Sequence, residues 1–208
     1  MINTTSKYTP SEIFEILKEQ HRLCSPLDPD AEPSATITPE MTIHAWRLAN
    51  DLMGWKKLSQ FLNQEFRLNI SGQEWYATLE PPKQRQLIDV CKLISKHAHK
   101  DNFEPKILFG NACLKGTVFL AIKRNLQKKG VNVSNLRPSS DLANYLGRYF
   151  SPMIEEITLT GTRPIEKIEI RRKKKGFWNT INIFDADRYE ILTGEVKTFR
   201  DLIEQIVK

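Results

Sequence analysis

The stretch Ser140 to Leu159 superposes in sequence, without a gap, on the first part of the stretch Met41 to Ile70. Thr42-Ile43 falls on Asp141-Leu142, Trp46 on Tyr145 and Leu58 on Ile157, and a proline, Pro39 or Pro138, precedes each stretch. Self-similarity at a fixed offset is the mark of a repeated supersecondary unit, so the chain should fold as two related small domains rather than one irregular one. Its 208 residues suit that division, because domains commonly span about 100 to 150 residues and smaller ones can still bury a core. The first domain is placed at 1–100, a joint at 101–110 marked by Pro105 and Gly110, and the second domain at 111–208.

With 40% hydrophobic and 27% charged residues, the chain has the balance of a globular protein and not of a disordered one. No apolar run approaches the roughly 20 residues that cross a bilayer, and the first residues lack a basic segment followed by an apolar one. A cytoplasmic protein without a membrane span is therefore expected. Three widely spaced cysteines, Cys24, Cys91 and Cys113, argue against a disulfide framework and for reduced packing residues. The net charge of +6 is unevenly spread, and Arg171-Arg172-Lys173-Lys174-Lys175 forms the one true basic block.

Helix signals are frequent. Thr9-Pro10-Ser11-Glu12 combines a cap residue, a proline at the first helical position and a carboxylate three residues after the cap. Ile13, Phe14, Ile16 and Leu17 give that helix an apolar face, and the proline-spaced stretch Cys24 to Pro39 follows as a long loop. A second helix is expected from Ala49 or Asp51 to Phe66, with Leu52, Trp55, Leu58, Leu62 and Phe66 at helical spacing. Ser71-Gly72-Gln73-Glu74 is a capping box opening a short third helix that Pro81-Pro82 ends, and Lys83 to His97 supplies a fourth. In the second half, Leu114, Val118, Ala121, Ile122 and Leu126 form a stripe stopped by Gly130, and Thr198 to Asp201 opens the last helix. Ile168 and Ile170, then Ile181 and Ile183, alternate with polar residues, which predicts a β-hairpin around 165–184 with a basic tip. The fold class is mainly α: two small helical bundles in tandem, with a hairpin inserted in the second.

With these elements placed, each half resembles an acyl carrier protein: a helix, a long loop, a long second helix, a short third and a closing fourth. The stretch Leu62-Asn63-Gln64-Glu65-Phe66-Arg67-Leu68-Asn69-Ile70 is similar to the family's end of helix two, and Val196 to Ile206 to its fourth helix. Counting back along the first half puts Asp51-Leu52-Met53 on the family's Asp-Ser-Leu motif, whose serine bears a phosphopantetheine arm. Leu52 stands where that serine would be, so the resemblance implies a first copy that cannot be loaded. The repeat alignment puts Ser151 on the serine position of the second copy, flanked by Phe150 and Pro152 in place of the family's residues. Asp185-Ala186-Asp187 falls where the second copy's short helix would begin. Family carriers present acidic residues along helix two, and only the second copy, with Glu155-Glu156, matches; the first has Lys56-Lys57.

Each candidate has a plain structural reading beside its functional one. Ser151 is the candidate phosphopantetheine site, and serine before proline is also a common helix cap. Asp51 reads as a cap or surface carboxylate, and Leu52 and Trp55 as core. The block Arg171 to Lys175 with Phe177 and Trp178 has the cations and aromatic faces of a nucleic-acid contact, and equally of a solvated turn. His97 and His99 near Cys91, and His21 near Cys24, lack the paired doublets of a zinc site, so no metal is expected. No catalytic motif stands out. The preferred expectation is a non-catalytic carrier-like module that binds a protein partner and carries no cofactor. The alternatives are a carrier loaded on Ser151 and a nucleic-acid binder using the basic tip.

Overall fold

The computed structural model describes residues 6–101, 106–108, 111–172 and 189–208. The chain is mainly helical, with nine α-helices among the described residues and two small two-stranded antiparallel sheets. It divides into two compact units, Met1–Asn102 and Phe103–Lys208.

In the first unit, α1 (Pro10–Cys24) starts at the Thr9 capping box and buries Ile13, Phe14, Ile16, Leu17 and Leu23. A 3₁₀ turn (Ser25–Leu27) leads into the long loop, and α2 (Ile43–Ala49), α3 (Trp55–Glu65), α4 (Gly72–Leu79) and α5 (Leu87–His97) follow. Helix α1 packs on α5 and α3 on α4. The single second helix expected from Ala49 to Phe66 is two helices. Asn50 ends α2, Asp51 adopts φ 46°, a left-handed conformation in which no helix continues, and α3 restarts after Gly54. The fourth helix starts at Leu87 and not at Lys83, because residues 82–84 form a turn and Gln86 pairs with Thr42 before the helix begins.

In the second unit, β1 (Lys106–Leu108) pairs antiparallel with β2 (Asn111–Cys113), so part of the stretch expected to be a joint is strand. Helix α6 (Leu114–Lys128) then packs on α8 (Phe150–Thr158) and α9 (Phe199–Ile206), while α7 (Leu142–Arg148) packs on α8. Gly130, at φ 81°, turns the chain at the end of α6 as the sequence predicts. The inserted hairpin has β3 (Glu169–Arg172) antiparallel to β4 (Tyr189–Leu192). Its returning strand is therefore Tyr189–Leu192 and lies beyond 184: Ile170 faces Ile191, Arg171 faces Glu190, and β4 lies against α7. Ile181, Ile183, Asp185 and Asp187 lie outside the described residues.

The two units share a pattern of backbone bonds. Thr42 and Asp141 each cap the helix that follows, Thr42 accepting from the Ala45 amide and Asp141 from that of Asn144. In the first unit Ile43 N donates to Arg85 O, Leu87 N to Met41 O and Ile88 N to Pro39 O. In the second, Leu142 N donates to Lys197 O, Phe199 N to Ser140 O and Arg200 N to Pro138 O. The first amides of a helix have no intrahelical partner. Here two helices enter side by side, and the chain leading into each supplies carbonyls to the other. Single bridges, Thr42 with Gln86 and Asp141 with Thr198, mark both crossings.

The gapless alignment ends at Ala49 and Arg148. Five residues, 50–54, join α2 to α3, whereas Tyr149 alone separates α7 from α8. Matching the helix starts sets Leu58 on Met153 and Leu62 on Ile157, and all four are buried. The earlier match would set Leu62 on the exposed Gly161.

Candidate functional site

Ser151 occupies the second position of α8 and is exposed. It does not cap that helix: Tyr149 holds the cap position and contributes no side-chain bond there. With the helix starts matched, Ser151 corresponds to Lys56, so the structure does not bring Ser151 and Leu52 to equivalent places. Asp51, Leu52 and Met53 lie in the α2–α3 connection ahead of the first turn of α3.

The acidic pair of α8 is turned inward. Lys129 Nζ lies 2.6 Å from Glu155 Oε2 and 3.0 Å from Glu156 Oε1, and Glu156 is only 4% exposed. Glu155-Glu156 therefore does not form an outward acidic face: the α6 end supplies a cation that holds both carboxylates against the core. Losing that cation would leave a buried and a half-buried carboxylate side by side without a counter-charge.

Within the basic block, Arg171 is occupied by Glu169, with Nη2 and Nε at 2.9 and 3.2 Å, and Lys167 bonds the same carboxylate at 2.7 Å. Those partners, Lys167 first, hold the Glu169 carboxyl below the usual carboxylate range. Arg172 ends β3 at its pairing with Tyr189. Lys173, Lys174, Lys175, Phe177 and Trp178 lie outside the described residues.

The oxygens of Asp28, Asp30 and Asp51 lie within 4.8 Å of one another, and Asp30 and Asp51 are exposed. Asp28 and Asp30 belong to the loop after α1, where an Asp28 oxygen accepts from the Asp30 amide, and Asp51 to the α2–α3 connection. Cys24 and Cys91 are pushed up to about 12, chiefly by burial, so both thiols stay protonated and inert.

What the sequence did not single out is that several large apolar side chains of the first unit are exposed. Met53 is 45% exposed, Tyr76 54% and Leu48 56%. Tyr76 meets Trp55 edge-on, ring centroids 5.2 Å apart at 68°. Lys56 Nζ lies 5.7 Å from the Trp55 ring centre, and Lys57 is exposed beside it. Sequence periodicity assigned Trp55 to the core, but it is the first residue of α3 and only half-buried. One signal was available. Successive helix residues point about 100° apart, so two adjacent aromatic residues such as Trp75-Tyr76 need not both face inward. Trp75 does, donating from Nε1 to Asn63 Oδ1 at 3.0 Å, and Tyr76 is left outside.

No protein-family model, no curated protein and no solved structure matches the chain.

Proposed function

We propose that this chain is a non-catalytic protein-interaction module whose first unit binds an acidic partner segment carrying apolar anchors. The observation that carries this reading is the edge-on pair of exposed Tyr76 and half-buried Trp55, with exposed Met53 two residues before Trp55 and the exposed Lys56 and Lys57 after it. Single exposed apolar residues are ordinary, but a contiguous set of large ones marks a contact surface. Trp, Tyr and Met are residue types that binding surfaces favour, the two aromatics because they bring much area with few rotatable bonds and Met because its flexible thioether adapts to a partner. Neither lysine has a carboxylate partner within the described residues, so an acidic segment would supply one.

Selection from a displayed peptide library against the purified full chain tests the proposal. Selected peptides should be rich in Asp and Glu around one or two large apolar residues. Tyr76→Ala should weaken their binding by about tenfold or more, the scale of a central contact residue. Neutralising Lys56 and Lys57 to Gln should weaken it further and flatten its salt dependence. Selection of basic or featureless peptides, or binding indifferent to Tyr76→Ala, would overturn the reading.

The carrier alternative rests on the exposure of Ser151. Incubation with coenzyme A and a broad-specificity phosphopantetheinyl transferase separates the two. Under the interaction reading the intact mass stays unchanged; an added arm that disappears in Ser151→Ala would establish the carrier.

A further inference from the structure

The second unit has a half-open cleft of about 310 Å³ beside α7, with Asn135, Asp141, Asn144, Tyr145, Arg148 and Tyr149 in its lining. Three of these are committed to the fold. Asp141 Oδ1 accepts from the Asn144 amide at 2.7 Å, and Tyr145 meets Phe199 edge-on at 5.3 Å and Tyr149 at 6.2 Å. The side-chain amides of Asn135 and Asn144 and the guanidinium of Arg148 have no hydrogen-bond or ion-pair partner among the described residues.

The lining restricts the class of ligand. A cation would meet Arg148, and an anion would meet the Asp141 carboxylate. An apolar ligand would strip water from two amides and a guanidinium and give no bonds in return, at a cost for each group. A side-chain amide both donates and accepts, Asp141 accepts and Arg148 donates, so the lining offers both kinds of partner. Hydroxyl groups, which also donate and accept, match that mixture. The half-buried tyrosines add ring surface for the C–H face of a saturated ring. The volume is at the small end of ligand cavities, of a size for a sugar rather than a drug-sized or polymeric ligand.

The geometry points to a binding site for a small neutral saccharide in the second unit, separate from the exposed apolar side chains of the first. The two proposals fail separately: the saccharide site uses no residue of the peptide-binding surface.

The first unit has no matching lining. At the paired positions, 99 residues earlier, it has Thr42 for Asp141, Ala45 for Asn144, a buried Trp46 for Tyr145 and Ala49 for Arg148. Two copies that share their helix-entry bonds thus differ at the side chains that line this cleft. The backbone arrangement does not require those residue types.

Ligand-detected NMR on the full chain tests this, with neutral monosaccharides and disaccharides set against a sugar phosphate, a sugar acid and a polyamine. At least one neutral saccharide should bind with millimolar affinity or better, about 4 kcal/mol. Asn144→Ala and Arg148→Gln, both exposed positions, should each weaken it by about tenfold with the circular dichroism spectrum unchanged. Tyr76→Ala should leave it intact. Binding confined to charged compounds, binding of no saccharide, or binding indifferent to both variants would overturn the assignment.

Discussion

Asn63 shows how one side chain can hold a unit together. Its Oδ1 accepts from the Trp75 indole at 3.0 Å and from the Ile70 amide at 3.3 Å, while its Nδ2 donates to Ile70 O at 2.9 Å. One amide thus ties α3 to the turn before α4 and satisfies the indole of the most voluminous fully buried side chain. Asn63→Ala strands that indole and two backbone groups, and should cost about 2–3 kcal/mol, measured by urea unfolding. Asn63→Asp keeps an acceptor but loses the donor to Ile70 O, so its cost should be smaller; equal costs would show that the indole bond is not the main contribution. Thiol chemistry offers a second test at this scale. Burial pushes Cys24 and Cys91 up to about 12, so at pH 8 neither should react with iodoacetamide until the chain unfolds. Rapid alkylation of either in native buffer, located by peptide mass mapping, would contradict the packing described for it.

At the scale of elements, the capping boxes were legible because a cap is local. Thr9 with Glu12, Ser71 with Glu74 and Thr198 with Asp201 open their helices as the sequence predicts. The break between α2 and α3 was not legible. It depends on Asp51 taking φ 46°, which a run of apolar residues at helical spacing conceals. Four extra residues in that connection also displaced the repeat alignment, and with it the pairing of Ser151 with Leu52. The exposed apolar side chains were hidden for the same reason: Trp55 fits the stripe of α3 but stands at its first turn, where the helix end leaves it half exposed. At the last helix, bonds from the Thr198 amide and hydroxyl hold the Asp201 carboxyl below its usual range. A depressed folded value means that this carboxylate contributes stability above the ordinary aspartate value of about 3.9 and loses it as pH falls through the lower folded value. Asp201→Asn should therefore melt below the parent at pH 7, and the gap should close as pH drops through 4 to 2. A gap that is constant with pH would show that the box acts by hydrogen-bond geometry alone.

For the molecule as a whole, the repeat in the sequence carries a physical consequence that single helices do not. Each unit has its own buried set: Ile13, Ile16, Leu58, Leu62, Trp75, Leu87 and Ile94 in the first, Val118, Leu126, Leu142, Leu146, Met153, Phe199 and Leu202 in the second. Each also completes its own crossing of helix entries, Pro39 and Met41 with Leu87 and Ile88, and Pro138 and Ser140 with Phe199 and Arg200. Neither crossing uses a residue of the other unit, and at about 100 residues each unit is large enough for a self-sufficient core. Residues 1–102 expressed alone should therefore be helical by circular dichroism and unfold in one cooperative thermal transition. The fragment retains Met53, Trp55 and Tyr76, so it should also bind the acidic peptides selected on the full chain within about threefold, a difference of well under 1 kcal/mol. A fragment that folds but binds far more weakly would place part of the contact surface in the second half. One that shows no cooperative transition would mean that the repeat records ancestry without independence.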